Sequence, residues 1–476
     1  MRALIVLPPA TLRGHRVTPT HHPIVAASLA AAAEKAGAEV EVIDAALDGL
    51  SPAEVGRRAA STDADVVGIV PYEYRRELPL DTSLATAAEV RRYHRTARIG
   101  FLNGTELEQR TAVGRAVEEG VVDFAAVGDC EGSFAALLRQ GAETPPPAGV
   151  LLRNECGEIE DGGDRVAEDL DQFPFPAWHY FDHQRYVVSP HRYKRLPVLP
   201  VMASRACPYH CDFCPQAMFN TKQKHRVRSP DNVAGEILML HERYGARHVE
   251  FYDASFGTKR DIAAATCQNL IDAGRPVLWS CYTRADLLDA QLLPLMAESG
   301  CRTILLGVES GAQAVVDATG KGLSLDAVRD GVDMCRRVGI DTIVSFIIGL
   351  PGETPETIEQ TIRFATALEP TYAQFHVCRT YFDLPRWKKA GRIETAWEIG
   401  SESFKGHAYV PEAFSSSREL KAWQRTAYRR FYLRPEYLMR LARDLGNLAD
   451  LRRVGAGGVM LMRQLLSNRT SLTVGS

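Results

Sequence analysis

"ASRACPYHCDFCPQ", residues 203–216, gathers three cysteines, Cys207, Cys211 and Cys214, into eight positions. Thiolates bind soft metals, and a closed structural zinc site needs four protein ligands. The nearby fourth candidates are His210 and His225. His210 lies between two of the cysteines, where turning inward strains the loop. A cubane iron-sulfur cluster also has four corners, each iron asking for one ligand. Three cysteines on one loop leave one iron for a ligand that is not protein. The loop begins where the β-rich run "LPVMASRA" ends, and the mouth of a barrel is where a catalytic cofactor belongs.

Downstream, "HVEFYD", "VLWSCYTRAD", "TILLGVES", "TIVSFIIGLPG" and "YAQFHVCRT" alternate with helical stretches such as "PDNVAGEILMLHERYG". Six such units within residues 198–400 predict a partial (β/α)6 barrel with its chemistry at the strand ends. Upstream, residues 1–140 alternate "RALIVLPP", "EVEVIDA", "DVVGIVPY", "ARIGFLNG" and "FAAVGD" with Ala-rich amphipathic stretches. This pattern predicts an α/β, doubly wound, Rossmann-like domain whose ligand sits at the carboxyl ends of its strands. Residues 141–197 read as an ordered linker: "VLLRNECGEIED" looks like a small hairpin, and the proline- and aromatic-rich "DQFPFPAWHYFD" suggests docking on a neighbour. Residues 401–476 read as a helical extension. Its stretch from Arg418 to Val454 carries ten Lys or Arg against four Asp or Glu, which reads as a solvated helix face packed on the barrel, or else as a lid or a surface for an anionic substrate.

With 476 residues and a net charge of -3, the chain needs no nucleic-acid partner. No apolar run approaches the roughly 18 residues of a membrane span, and the start is too short in apolar residues for a signal peptide. A cytoplasmic protein with reduced thiols is expected, the seven cysteines outside the loop serving as small apolar residues.

Cys-x3-Cys-x2-Cys after the first strand of a partial barrel resembles the radical S-adenosylmethionine (SAM) superfamily over residues 198–380. The resemblance implies that Cys207, Cys211 and Cys214 hold a 4Fe-4S cluster. The open iron takes the amino and carboxylate groups of SAM, and an external one-electron donor of flavodoxin or ferredoxin type supplies the electron that cleaves it. Phe213 occupies the family's aromatic position beside the adenine. Asp253 and Ser255 end the second strand, where the methionyl amine is expected. Arg284, past the third, is a candidate clamp for the methionyl carboxylate. Glu309, ending the fourth, matches a contact to the methionyl or ribose end. Gly349 and Gly352 in "GLPGET" let backbone approach the adenosine.

A doubly wound domain before such a barrel resembles the cobalamin-binding class of the superfamily, in which the corrin lies at the carboxyl ends of the first domain's strands. The Asp-x-His-x-x-Gly signature that supplies histidine to cobalt is absent, and His21 and His22 read as a polar lead-in to the first helix. "PYEYRRELP" would lie beneath cobalt, with Tyr72, Tyr74, Arg75 and Arg76 as lower-face candidates, or would fill the crevice of a domain that is only a scaffold. Gly104 in "FLNGTELEQ" and Gly128 in "VGDCEGSF" keep the glycine character of the class's next two loops.

The expected activity is hydrogen abstraction from a small biosynthetic substrate, followed by cobalamin-dependent C-methylation. The alternative is a cobalamin-independent radical dehydration, epimerisation or rearrangement of a sugar-like intermediate. Tyr381, Asp383 and Arg386 are candidate substrate contacts, and Tyr209 and His376 candidate proton carriers. A methylthiotransferase acting on RNA would bring a further cysteine trio, which is missing. A non-catalytic iron-sulfur regulator would not need Arg284, Glu309 or "GLPGET".

Overall fold

The structure is a computed structural model that describes residues 1–9, 11–12, 15–16, 21–73, 76–77, 80–104, 114–140, 145–154, 156–163, 169–186, 188–214, 224–380, 387, 390–394, 407–443, 455 and 458. They form two compact units, which divide at residue 187.

In the first unit, β1 (Arg2–Leu7), β2 (Glu39–Asp44), β3 (Val66–Ile69), β4 (Arg98–Gly104) and β5 (Phe124–Val127) pair in parallel in the order β2-β1-β3-β4-β5. The runs "ALIVL" and "VVGI" are buried throughout, as strands covered on both faces must be. The helix α1 (Ile24–Lys35) supplies one cover through small residues, with Ala26, Ala27, Ala30 and Ala33 fully buried. Gly68 and Gly100 are register partners. A Cβ on Gly100 would stand 2.3 Å from the ring of Phe124, so its absence is what lets that ring lie across the sheet.

Residues 141–197, expected as one linker, divide into three parts. β6 (Val150–Arg153) and β7 (Ile159–Asp161) extend the first sheet as antiparallel edge strands. The aromatic segment docks on α1: Trp178 is fully buried, the Ala177 amide donates to the Ala27 carbonyl at 2.9 Å, and the Tyr180 hydroxyl donates to Glu34 at 2.9 Å. Its apolar rings need a partner, and α1 supplies one. His22, at the start of α1, has a ring nitrogen 3.0 Å from the His183 carbonyl, and burial pushes its pKa down to about 4. It is a neutral packing residue, in keeping with the lead-in reading.

The third part, from residue 188, belongs to the second unit and packs against residues of the barrel strands. There β8 (Val198–Val201), β9 (His248–Phe251), β10 (Leu278–Thr283), β11 (Cys301–Glu309), β12 (Asp341–Ile348) and β13 (Tyr372–Val377) lie in parallel in sequence order. Arg192 pairs with Glu250 at 3.4 Å, both side chains almost fully buried, and Lys194 pairs with Asp341.

The sheet stays open, with β8 and β13 as its edges. The first described element of the tail is a strand rather than a helix: β16 (His407–Pro411) joins β14 (Arg379–Thr380) and β15 (Gly391–Glu394) in a small antiparallel sheet. The helix α2 (Ser417–Tyr432) then covers β13. Tyr432 accepts from the Ala373 amide at 3.1 Å and donates to its carbonyl at 2.8 Å. Tyr428 accepts from the Phe375 amide at 3.2 Å, and Gln424 donates to the Phe375 carbonyl at 2.6 Å. Four helical residues and two strand residues advance by nearly the same length, about 6 Å. Tyrosines at that spacing therefore satisfy an edge that would otherwise present unpaired backbone groups.

Replacing both tyrosines, Tyr428→Phe with Tyr432→Phe, keeps the rings and removes the edge's partners. The cost is about 1–3 kcal/mol. The thermal unfolding midpoint of the full chain should fall, and an unchanged midpoint would show that the edge is satisfied otherwise.

Candidate active site at the carboxyl rim of the barrel

The cysteine loop leaves β8 through a fixed gate. The buried carboxylate of Asp253, just past β9, accepts from the Ala203 amide at 3.1 Å and from the Ser204 hydroxyl. Burial raises its pKa, and those two bonds oppose the rise. Arg228 donates its amide to the Ala203 carbonyl at 2.8 Å and its guanidinium to the Met202 carbonyl at 3.0 Å, while Glu236 balances its charge. Ala206, directly before Cys207, has φ 63, a left-handed backbone that costs a non-glycine residue about 1–2 kcal/mol. Further on, the Asp212 amide donates to the Thr319 carbonyl at 2.9 Å, which ties the loop to the turn after β11.

All ten cysteines are unbridged, and Cys207, Cys211 and Cys214 are half-buried where six of the other seven are buried. Burial pushes the Cys207 and Cys211 thiols up, and the charges of Arg284 and Lys321 pull them down. Among the described residues no three His, Cys, Asp or Glu side chains are gathered as a single-ion site. A cubane asks for something else, one thiolate per iron at three separate corners.

Around the loop the strand ends bring most of the expected residues together. Phe213 packs against an apolar nest of Ala312, Val315, Leu350, Cys378, Trp387 and Tyr409. It thus shares a wall with Leu350 of "GLPGET". Ser255 is buried, and its hydroxyl has no hydrogen-bond partner among the described residues. A buried orphan hydroxyl at the end of β9 fits a ligand amine there, whereas both Asp253 oxygens already serve the cysteine loop. Gly349 and Gly352 take φ 94 and φ 80. The Gly349 and Leu350 amides donate to the Glu353 carboxyl at 2.5 and 3.3 Å, and its other oxygen has no partner among the described residues.

Arg284 is buried, but its fork is engaged: it grips Asp286 at 2.9 and 2.8 Å, donates to the Lys321 carbonyl at 2.9 Å, and lies 4.0 Å from the Tyr209 ring centroid. A methionyl carboxylate would have to share it with Asp286. Glu309 ends β11 at φ 71 and meets Lys321 at 2.5 Å. Lys321, which the sequence motifs do not single out, joins the rim from "TGKG", a lone lysine between glycines of φ 67 and φ 60.

Tyr209 is half-buried at the loop, and burial raises its hydroxyl pKa. His376, near the end of β13, is pushed down to about 4 by burial and by the charges of Arg379 and Arg192, so it is neutral at pH 7. Tyr381, Asp383 and Arg386 lie outside the described residues, as do Tyr74 and Arg75.

In the first unit the order β2-β1-β3-β4-β5 reverses between β1 and β3, and the crevice at such a switch point is where ligands bind. Tyr72 and Arg76 lie on the two-strand ribbon Tyr72–Glu73 and Arg76–Glu77 that follows β3. Gly104 ends β4 where the register shifts, and Gly128, after β5, has φ 75. At both glycines the strand's carboxyl end is backbone without a Cβ, which fits a large flat ligand lying close to the main chain.

Residues 201–365 match the Radical SAM superfamily. These residues are therefore a radical SAM domain, whose chemistry uses a 4Fe-4S cluster and SAM. It is 26% identical over 451 residues to an uncharacterized methyltransferase of Pyrococcus horikoshii, covering 92% of this chain and 94% of that one. It is also 26% identical to the anaerobic magnesium-protoporphyrin IX monomethyl ester cyclase of Rubrivivax gelatinosus, over 92% of this chain and 78% of that one. The fold matches that of the cobalamin-dependent SAM radical enzyme OxsB, solved with aqua-cobalamin and SAM bound, with a TM-score of 0.72 and 12% identity over 98% of this chain and 72% of that one. That likeness in fold extends over both units of this chain. No described helix is long and apolar enough to cross a membrane.

Burial holds the Glu353 carboxyl near 8 against an ordinary 4.5, despite the two amides that favour its anion. Between those values the folded chain keeps a proton that the unfolded chain has lost. Stability therefore falls as pH rises from about 4.5 to about 8, by at most about 1.4 kcal/mol per pH unit. Glu353→Gln should match the native chain at pH 5 and melt higher at pH 8. Parallel melting curves at the two pH values would contradict this.

Proposed function

We propose that this chain is a cobalamin-dependent radical C-methyltransferase acting on a small biosynthetic substrate. The observation that carries the reading is the joint presence of a switch-point crevice and a three-cysteine rim, in a chain matched over 92% of its length by a methyltransferase. When bound, the cluster and SAM supply the hydrogen-abstracting 5'-deoxyadenosyl radical, and cobalamin supplies the methyl group.

The protein's share is binding and positioning. Cys207, Cys211 and Cys214 hold three irons and leave the fourth to SAM. Ser255 offers its hydroxyl to the methionyl amine, and Glu309 faces the methionyl or ribose end. Phe213 and Leu350 wall the adenine, and the backbone of Gly349 and Gly352 runs beside the adenosine. Tyr72 and Arg76 follow the crevice strand and stand as lower-face candidates together with Tyr74 and Arg75; Gly104 and Gly128 allow the corrin's close approach. His376, neutral at pH 7, can accept a proton, and Tyr209 can donate one. Tyr381, Asp383 and Arg386 remain the proposed substrate contacts, and a flavodoxin or ferredoxin the proposed electron donor.

A relative named as a cyclase and not a methyltransferase leaves room for a second reading, a cobalamin-independent radical dehydration, epimerisation or rearrangement in which the first unit is only a scaffold. Anaerobic reconstitution with iron, sulfide and hydroxocobalamin, followed by gel filtration, separates the readings. We expect a corrin spectrum to co-elute, and 5'-deoxyadenosine to form from SAM and dithionite. Elution without corrin would sink methylation. Cys211→Ser should bring 5'-deoxyadenosine to background.

A further inference from the structure

The chemistry assigned to the rim needs an electron to enter the cluster, and the charges facing the cysteine loop set how readily it does so. Among the described residues, two cations act on the thiols of Cys207 and Cys211. Arg284 is neutralised by the two-pronged grip of Asp286. Lys321 is held differently. Its side chain is buried, its ammonium lies 5.8 Å from the ring centroid of Phe213 in the cysteine loop, and its single anionic partner among the described residues is Glu309 at 2.5 Å.

Three features of the backbone exist to hold it so. Gly320 and Gly322 take left-handed conformations on either side of the lysine, bending the chain back toward the loop. The Thr319 carbonyl accepts the Asp212 amide at 2.9 Å, which fixes the turn to the cysteines themselves. Gly307 has no side chain, and a Cβ there would stand 2.5 Å from the Glu309 carboxylate and 2.8 Å from the Lys321 ammonium. Glu309 meanwhile keeps a left-handed backbone of its own, φ 71, to meet the lysine. Burying a lysine is costly unless its charge is used.

We propose that the Lys321–Glu309 pair is the charge regulator of the cluster, Lys321 favouring the reduced state from its place over Phe213 and Glu309 limiting that effect. The proposal rests on the cluster and not on methyl transfer. A positive charge in a poorly screened site stabilises an added electron nearby, and a negative one opposes it. Removing the two partners therefore acts in opposite directions. A merely structural pair would give changes of one sign, loss of cluster or none.

The test is a redox titration of the 4Fe-4S-reconstituted full chain, followed by electron paramagnetic resonance, without SAM, cobalamin or substrate. Lys321→Met should lower the midpoint so that about tenfold less cluster is reduced at a given potential, about 59 mV for one electron. Glu309→Gln should raise it, and Lys321→Arg should stay near the native value. Equal midpoints in Lys321→Met and the native chain, at equal iron and sulfide content, would overturn the proposal. Should Lys321→Met fail to hold its cluster, an unshifted or lowered midpoint in Glu309→Gln overturns it equally. Absence of bound corrin would leave these results untouched, so the two readings fail separately.

Discussion

The bond between the Asp253 carboxylate and the backbone of Ala203 and the hydroxyl of Ser204 decides where the chemistry happens. A parallel barrel delivers every strand to the same rim, but a loop with three thiols can leave that rim at many angles. Two acceptor oxygens on the neighbouring strand remove the choice, and Arg228 closes the gate from the other side. The rest of the loop inherits that direction: Phe213 reaches the nest around Leu350, and Asp212 reaches the turn that carries Lys321.

The strain near this rim is consistent with such a burden. Ala206 and Glu309 both hold left-handed backbone that residues with side chains avoid. Each sits next to something that must be aimed, the first cysteine in one case and a buried carboxylate in the other. Both are locked by neighbours: the Asp253 gate precedes Ala206, and Lys321 fastens Glu309.

Much of this was readable in the sequence because it is local. Three cysteines in one loop, glycines in "GLPGET" and a charged residue after each strand announce themselves within a few positions. Both units were legible for a related reason, since apolar runs of strand length alternate with helical stretches. Pairings across turns were less accessible. Lys321 follows Glu309 by twelve positions, and no period links them; their meeting depends on how two glycines bend the chain. The sequence likewise offers Asp253 and Ser255 as equivalent polar candidates, and only the fold shows one facing the loop and the other without a partner among the described residues. Residues 141–197 looked like a connector because they lack alternation, yet their hairpin and aromatics find partners that hydrophobicity alone could not name. The tail's basic charge obscured its tyrosines, whose spacing matters only opposite an open strand edge.

That edge also orders events in time. A chain made from its amino terminus completes all six barrel strands by Val377, while the tyrosines that cover the last of them arrive some fifty residues later. During synthesis the nascent barrel therefore shows the ribosome's surroundings a bare β-edge, the kind of surface that chaperones shield and that aggregation exploits. A chain truncated before Ser417 would keep every proposed cluster ligand and still lack the helix that makes its sheet safe to expose.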